Sequence, residues 1–136
     1  MPGLRYGDGP MLTPSDQDAR DTEIFDAPAV AAALEHLAET HAGNERELRL
    51  AVSRRLKTAL VEGRAAAERL LIKDRHGRRC AERLCAMQDD IIRLLFDFAG
   101  RHLYPAQNPS EAERMAIVAT GGYGRGVLAA GSDVDL

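Results

Sequence analysis

Residues 120–136, which read TGGYGRGVLAAGSDVDL, are the most informative stretch of this sequence for its fold and function. Just before them, residues 115–120 form a short apolar and partly β-branched run, which predicts a buried strand. That run ends at Gly121 and Gly122, where the missing Cβ atoms let the backbone approach a bulky anion closely. Backbone N–H groups exposed after a strand can form a cradle for phosphate. The stretch therefore predicts a phosphate-binding turn.

Two aspartates follow, Asp133 and Asp135, separated by a single residue. Side chains alternate along a strand, so both carboxylates would face one side, roughly 6–7 Å apart. Two hard carboxylates at that spacing can share magnesium ions bound to a nucleoside triphosphate. Val134 and Leu136 would then point the other way, into a core. A second strand carrying a metal site is the prediction for this end of the sequence.

Two further polar residues lie within the stretch. Arg125 offers a bidentate cation to a phosphate, or a structural bond to a carboxylate. Ser132 can donate to a phosphate or cap the turn. An isolated Asp-x-Asp is common and could be solvent-facing, but the glycine pair, the spacer and the following apolar run together favour the metal site.

Upstream, two amphipathic patterns predict an antiparallel pair of helices. Apolar residues recur at three-to-four spacing from Glu45 to about residue 71, and again from Cys80 to Phe98. A turn at residues 73–77 separates the two stripes, which are expected to bury each other. A shorter helix is predicted over residues 28–39, with Asp26 as its N-cap.

Composition limits the remaining possibilities. The net charge of -3 provides no basic field for nucleic acid. No run approaches the ~20 apolar residues of a membrane span, and the start has no signal-peptide core, so we expect a cytoplasmic protein. Cys80 and Cys85 are five residues apart on a predicted helix, which favours two reduced cysteines over a metal or redox site.

The glycine and aspartate pattern resembles the signature of the nucleotidyltransferase superfamily typified by DNA polymerase β. More narrowly, Gly-Gly-Tyr-Gly-Arg-Gly followed by Gly-Ser-Asp-Val-Asp-Leu is similar to the bacterial PII uridylyltransferase family. Residues 94–99, 102–109 and 113–116 resemble the approach to the active site in that family. Ala130 departs from the proline usual there, which should loosen the turn slightly without removing a ligand.

The resemblance implies an α+β fold, with an antiparallel helical hairpin followed by the first two strands of a nucleotidyltransferase domain. The expected organisation is a mobile leader at residues 1–26, a helical region at 27–104 and the start of the nucleotidyltransferase domain at 110–136. The last part would be truncated, because the third carboxylate of the superfamily comes from a later strand. We therefore expect the 136-residue chain alone to be inactive.

The resemblance also implies an activity, the transfer of UMP from UTP to a tyrosine of the PII signal protein. Family members remove UMP again in a separate His-Asp metal domain and sense glutamine through further domains. By residue, the resemblance implies that the triphosphate is lined by Gly121 and Gly122 and that Mg²⁺ or Mn²⁺ is held by the catalytic Asp133 and Asp135. Arg125 and Ser132 would be phosphate contacts.

Two other functions stay open at this point. One is a nucleotidyltransferase with a different acceptor, such as an adenylyl- or aminoglycoside-type enzyme. The other is a non-catalytic helical interaction module in which Asp133 and Asp135 are merely exposed.

Overall fold

The computed structural model describes residues 24–105, 116–129, 131, 132 and 134 of the chain. Three substantial helices build the described part: α1 (Ala27–Thr40), α2 (Glu45–Asp74) and α3 (Gly77–Phe98). A π-helical turn at Ala99–Leu103 continues α3, and a single short helical turn, α4 (Gly121–Gly124), follows later. In this part of the chain no helix is both long and apolar enough to cross a membrane.

Side-chain caps set the starts of the first two helices. Asp26 caps α1, because its Oδ1 accepts the Ala29 N–H at 3.0 Å, and Pro28 lies in the first turn. Asn44 caps α2 in the same way, accepting the Glu47 N–H at 3.2 Å. The predicted cap at Asp26 and the short helix after it are confirmed.

The helices α2 and α3 pack antiparallel. Contacts between them pair residues in opposite order: the Cys80 thiol lies 3.8 Å from the Ala67 carbonyl, and Gly63 faces Met87 further along. At the turn between them, the buried Arg83 guanidinium lies 3.0 Å from an Asp74 carboxylate oxygen. The other Asp74 oxygen accepts the His76 N–H at 2.9 Å. This turn is therefore held at both carboxylate oxygens.

The first helix closes over one side of the hairpin. Its buried residues Val30 and Leu34 join the core formed by α2 and α3. Glu35 also connects α1 to the π-helical turn, with one carboxylate oxygen 2.7 Å from Arg101 and the other 2.9 Å from His102. Phe98, only 1% exposed, lies beneath this contact.

The predicted α+β fold is wrong in its strands, because the described residues contain none. Residues 116–120 have no regular structure and are exposed, including Val118 at 65%. A strand requires hydrogen bonds from a neighbouring strand, and an apolar β-branched run cannot supply its own partner. Of the second predicted strand only Val134 is described, and it too is not in a strand.

Two predicted boundaries fall largely outside the described residues. Of the predicted leader, residues 1–26, the structure describes only the last three. Ile24 and Phe25 among these are buried in the helical core, and Asp26 caps α1. Residues 106–115, where the predicted nucleotidyltransferase domain begins, also lie outside the described part.

The crossing of α2 and α3 gives a test of packing at Gly63. A Cβ there would lie 2.2 Å from the Met87 sulfur and 3.0 Å from the Ile24 carbonyl oxygen. Alanine gains about 1 kcal/mol of helix propensity, but overpacking a core costs about 1–3 kcal/mol. We therefore expect Gly63→Ala to lower the free energy of unfolding by about 1 kcal/mol, measured by chemical denaturation.

The matched control is Gly77→Ala, at the start of α3, where an added Cβ meets no atom within 4 Å. This variant should unfold at the parent's denaturant concentration or slightly above it. A Gly63→Ala variant as stable as the parent would show that the crossing tolerates the extra methyl group.

Candidate nucleotide-binding loop

Residues 120–129, here called the glycine loop, form a tight and largely self-contained turn. The Gly124 N–H donates to the Thr120 carbonyl at 2.7 Å, which closes α4. The Gly126 N–H donates to Tyr123 at 2.9 Å, and the Val127 N–H returns to the Gly122 carbonyl at 3.2 Å. These bonds tie the two ends of the turn together.

Two of the glycines are needed for this backbone shape itself. Gly121 has φ +59°, in the left-handed region that other residues rarely adopt. At Gly124, a Cβ would lie 2.6 Å from the carbonyl oxygen of Ala119, which is backbone and cannot rotate away. Glycine therefore serves the turn as well as any approach of phosphate.

The structure brings three of the predicted site residues together. Gly121 and Arg125 are exposed on the same turn as the partly buried Gly122. The Arg125 guanidinium lies over Gly122, since a Cβ built there would be 3.9 Å from Arg125 Nη2. The turn thus presents one cation beside the exposed backbone of Gly121.

The other predicted site residues lie beyond this turn. Ser132 is exposed, and its N–H donates to the Ala129 carbonyl at 3.0 Å. Asp133 and Asp135 lie outside the described residues. Val134, between them, is partly buried against the hydrophobic core. Among the residues that are described, no three acidic, histidine or cysteine side chains form a metal-binding group.

Tyr123 anchors the glycine loop to α3. Its side chain is only 5% exposed, and its hydroxyl donates a hydrogen bond to Asp89, on α3. Burial raises the pKa of the Tyr123 phenol well above its ordinary value, and the bond to Asp89 raises it further. No role was predicted for Tyr123 from the sequence, although one aromatic side chain among four glycines was the available signal.

A second contact joins the end of the loop to the same helix. Leu128 is buried, and its backbone hydrogen-bonds the thiol of Cys85, one helical turn before Asp89. Cys80 instead contacts α2, so the two thiols have different neighbours. Both cysteines are free and buried, and burial raises the pKa of each thiol.

Beside Tyr123, a pocket of ≈ 270 Å³ opens between α3 and the segment from residue 117 to residue 123, which leads into the loop. Apolar side chains from both elements line it, together with charged groups of α3. Its lining residues are Asp89, Ile92, Arg93, Phe96, Asp97, Ile117, Ala119 and Tyr123.

The amino-acid sequence of the chain is similar to those of several curated proteins. The chain is 58% identical over 112 residues to a bifunctional uridylyltransferase/uridylyl-removing enzyme of Bradyrhizobium diazoefficiens, a match that covers 82% of the chain. Proteins with the same name from Bradyrhizobium sp. strain BTAi1 and Nitrobacter winogradskyi are 55% and 53% identical over 92% and 93% of the chain. At that coverage the likeness includes the helices as well as the glycine loop.

The chain belongs to the family of bifunctional uridylyltransferase/uridylyl-removing enzymes. It spans only 12–14% of the length of these three relatives. No family model matches the chain, and no solved structure does. The helices and the glycine loop of this uridylyltransferase family member therefore correspond to a small part of each relative.

The buried phenol of Tyr123 gives a pH-dependent prediction. Because the fold favours its protonated form, the stabilisation is complete below the ordinary tyrosine pKa of about 10 and is lost as pH rises above it. In an absorbance titration near 295 nm, one of the three tyrosines should ionise later than the ordinary value. Tyr123→Phe should remove that late component.

The same titration in concentrated guanidinium is the control, since unfolding should return every phenol to its ordinary pKa. If all three tyrosines of the folded chain ionise near pH 10, the buried Tyr123–Asp89 contact does not form in solution.

Proposed function

We propose that this chain supplies nucleotide- and metal-binding residues to a uridylyltransferase site that moves UMP from UTP to a tyrosine of the PII signal protein. The observation that carries the proposal is the exposed turn on which Gly121, Gly122 and Arg125 lie together. The names of the relatives supply the reaction class, because each is called a uridylyltransferase.

The glycine loop would hold the triphosphate of UTP. A phosphate oxygen can approach the backbone at Gly121 and Gly122, where no Cβ intervenes. The nearby Arg125 guanidinium can donate two parallel hydrogen bonds to phosphate oxygens, which both binds and orients the group. Ser132 would add a hydroxyl donor from the following turn. Binding the phosphates in a set position lowers the entropic part of the barrier to transfer.

Asp133 and Asp135 would hold the divalent cation. Carboxylate oxygens are ligands suited to Mg²⁺ or Mn²⁺, and two of them with triphosphate oxygens form a chemically reasonable donor set. Val134, the residue between them in the sequence, packs against the core. When bound, the cation would neutralise charge on the triphosphate and on the departing pyrophosphate.

The transfer itself is a substitution at the α-phosphorus. The acceptor tyrosine oxygen forms the new bond as the bond to pyrophosphate breaks, so UMP passes to the acceptor. The residues of this chain would bind and orient the donor nucleotide. The removal of UMP named for the relatives, and control by glutamine, would be functions of a longer family protein.

The direct test is an assay of labelled UMP transfer from UTP to PII, using the product of the complete reading frame that contains these residues. Asp133→Asn and Asp135→Asn should each reduce the rate roughly 1,000-fold, because each replaces a charged ligand by a neutral one and so weakens the hold on a cation worth several kcal/mol to the reaction. Glu68→Gln, on the exposed face of α2, is the control for loss of one carboxylate and should retain the parent's rate.

Other results would favour the alternatives. Transfer from UTP to a different acceptor would identify a nucleotidyltransferase of another kind. Absence of manganese binding, with unchanged activity in both asparagine variants, would favour a helical interaction module and contradict the metal-ligand assignment.

A further inference from the structure

The contact between the glycine loop and α3 has consequences for nucleotide binding. Tyr123 is the one aromatic side chain between Gly121 and Gly126, and it is buried while Gly121 and Arg125 are exposed. Its hydroxyl donates to Asp89, 34 positions earlier in the chain. The exposed face of the loop is therefore oriented by a side chain on its opposite, buried face.

The loop backbone transmits that anchor to the residues that would touch phosphate. The Tyr123 carbonyl accepts the Gly126 N–H at 2.9 Å, and the Gly122 carbonyl accepts the Val127 N–H at 3.2 Å. Because these bonds close the turn around Tyr123, a shift of that residue moves Gly122 and Arg125 with it. The turn has little room to adjust to such a shift, because the backbone of Gly124 lies close against the backbone of Ala119.

One face of α3 holds the loop at two points. Asp89 binds Tyr123, and Cys85, one turn earlier, accepts the backbone hydrogen bond from Leu128. Asp89 is partly buried, and a hydrogen bond is stronger there than in water. A charged acceptor such as a carboxylate also forms a stronger hydrogen bond than a neutral acceptor does. Of these two attachments, only the one to Tyr123 lies inside the turn that carries Gly122 and Arg125.

We propose that Asp89 is a positioning residue for UTP, which acts by holding Tyr123 and so keeping the glycine loop in its phosphate-binding shape. This inference rests on the proposed function of the loop. A loop that is already ordered loses less conformational freedom when nucleotide binds. Loss of the contact should therefore weaken UTP binding more than it slows the transfer of UMP once UTP is bound.

The test uses the product of the complete reading frame and measures KM for UTP and kcat separately. Tyr123→Phe and Asp89→Leu should each raise KM about tenfold, the effect of losing one hydrogen bond to a charged group, with a smaller change in kcat. Combining both changes should be no worse than the more severe single change, because each removes the same contact.

Two variants serve as controls. Asp89→Asn keeps an oxygen that can accept from the Tyr123 hydroxyl but loses the negative charge, so its KM should lie between those of the parent and Asp89→Leu. Tyr104→Phe removes the same hydroxyl group from an exposed tyrosine, one that accepts from Arg49 at 2.8 Å, and should leave KM unchanged. If Asp89→Leu does not fold, Tyr123→Phe decides the question alone.

The outcomes separate this inference from the function on which it rests. An active parent whose KM for UTP is unchanged in Tyr123→Phe and Asp89→Leu overturns the positioning role but leaves the proposed function intact. A parent that transfers no UMP from UTP overturns the proposed function, and the positioning role with it. Raised KM in both variants, with the KM of Asp89→Asn between that of Asp89→Leu and that of the parent, supports both.

Discussion

The helix α3 is the one described element that α1, α2 and the glycine loop all contact. Its inner residues meet α2 at the close crossing of Gly63 and Met87, and α1 covers the same core with Val30 and Leu34. Its further face, at Cys85 and Asp89, receives the glycine loop. Because one helix serves both contacts, the position of the loop depends on the packing of the hairpin.

This arrangement gives the helices a role beyond burying apolar surface. A glycine-rich turn has few side chains of its own with which to fix its shape, and glycine loses more conformational freedom on ordering than other residues do. Here the missing constraint comes from Tyr123, which carries the loop into the helical core. Between Gly121 and Gly126 the turn then carries no exposed side chain other than that of Arg125, which leaves room for a triphosphate.

The sequence predicted the helices well because their apolar residues recur with a clear period over many turns. Asp26 and its proline likewise marked the start of α1. The prediction of a strand at residues 115–120 was wrong for the described residues 116–120. A short apolar run has no periodicity, and its structure depends on a partner strand elsewhere. A local sequence pattern thus predicts a helix, whose backbone hydrogen bonds are internal, better than a strand, whose hydrogen bonds come from a neighbouring strand.

For the site, the sequence indicated which residues could bind phosphate but not which contacts hold the glycine loop in place. Gly121, Gly122 and Arg125 were singled out by residue type, and the structure places them on one turn. The roles of Asp133, Asp135 and Ser132 stay predictions. Asp89 could not have been found, because a hydrogen bond across 34 residues leaves no local signature in a helix rich in charged residues.

The central claim, that α3 fixes the glycine loop through Tyr123, is most directly tested by amide hydrogen exchange on the complete reading-frame product and its Tyr123→Phe variant. The account predicts that the amides of Gly124, Gly126 and Val127 are protected in the parent and exchange faster in the variant. Amides within α2 and α3 should exchange alike in both proteins. Equal exchange of the loop amides in parent and variant would contradict the claim, as would a loop unprotected in the parent.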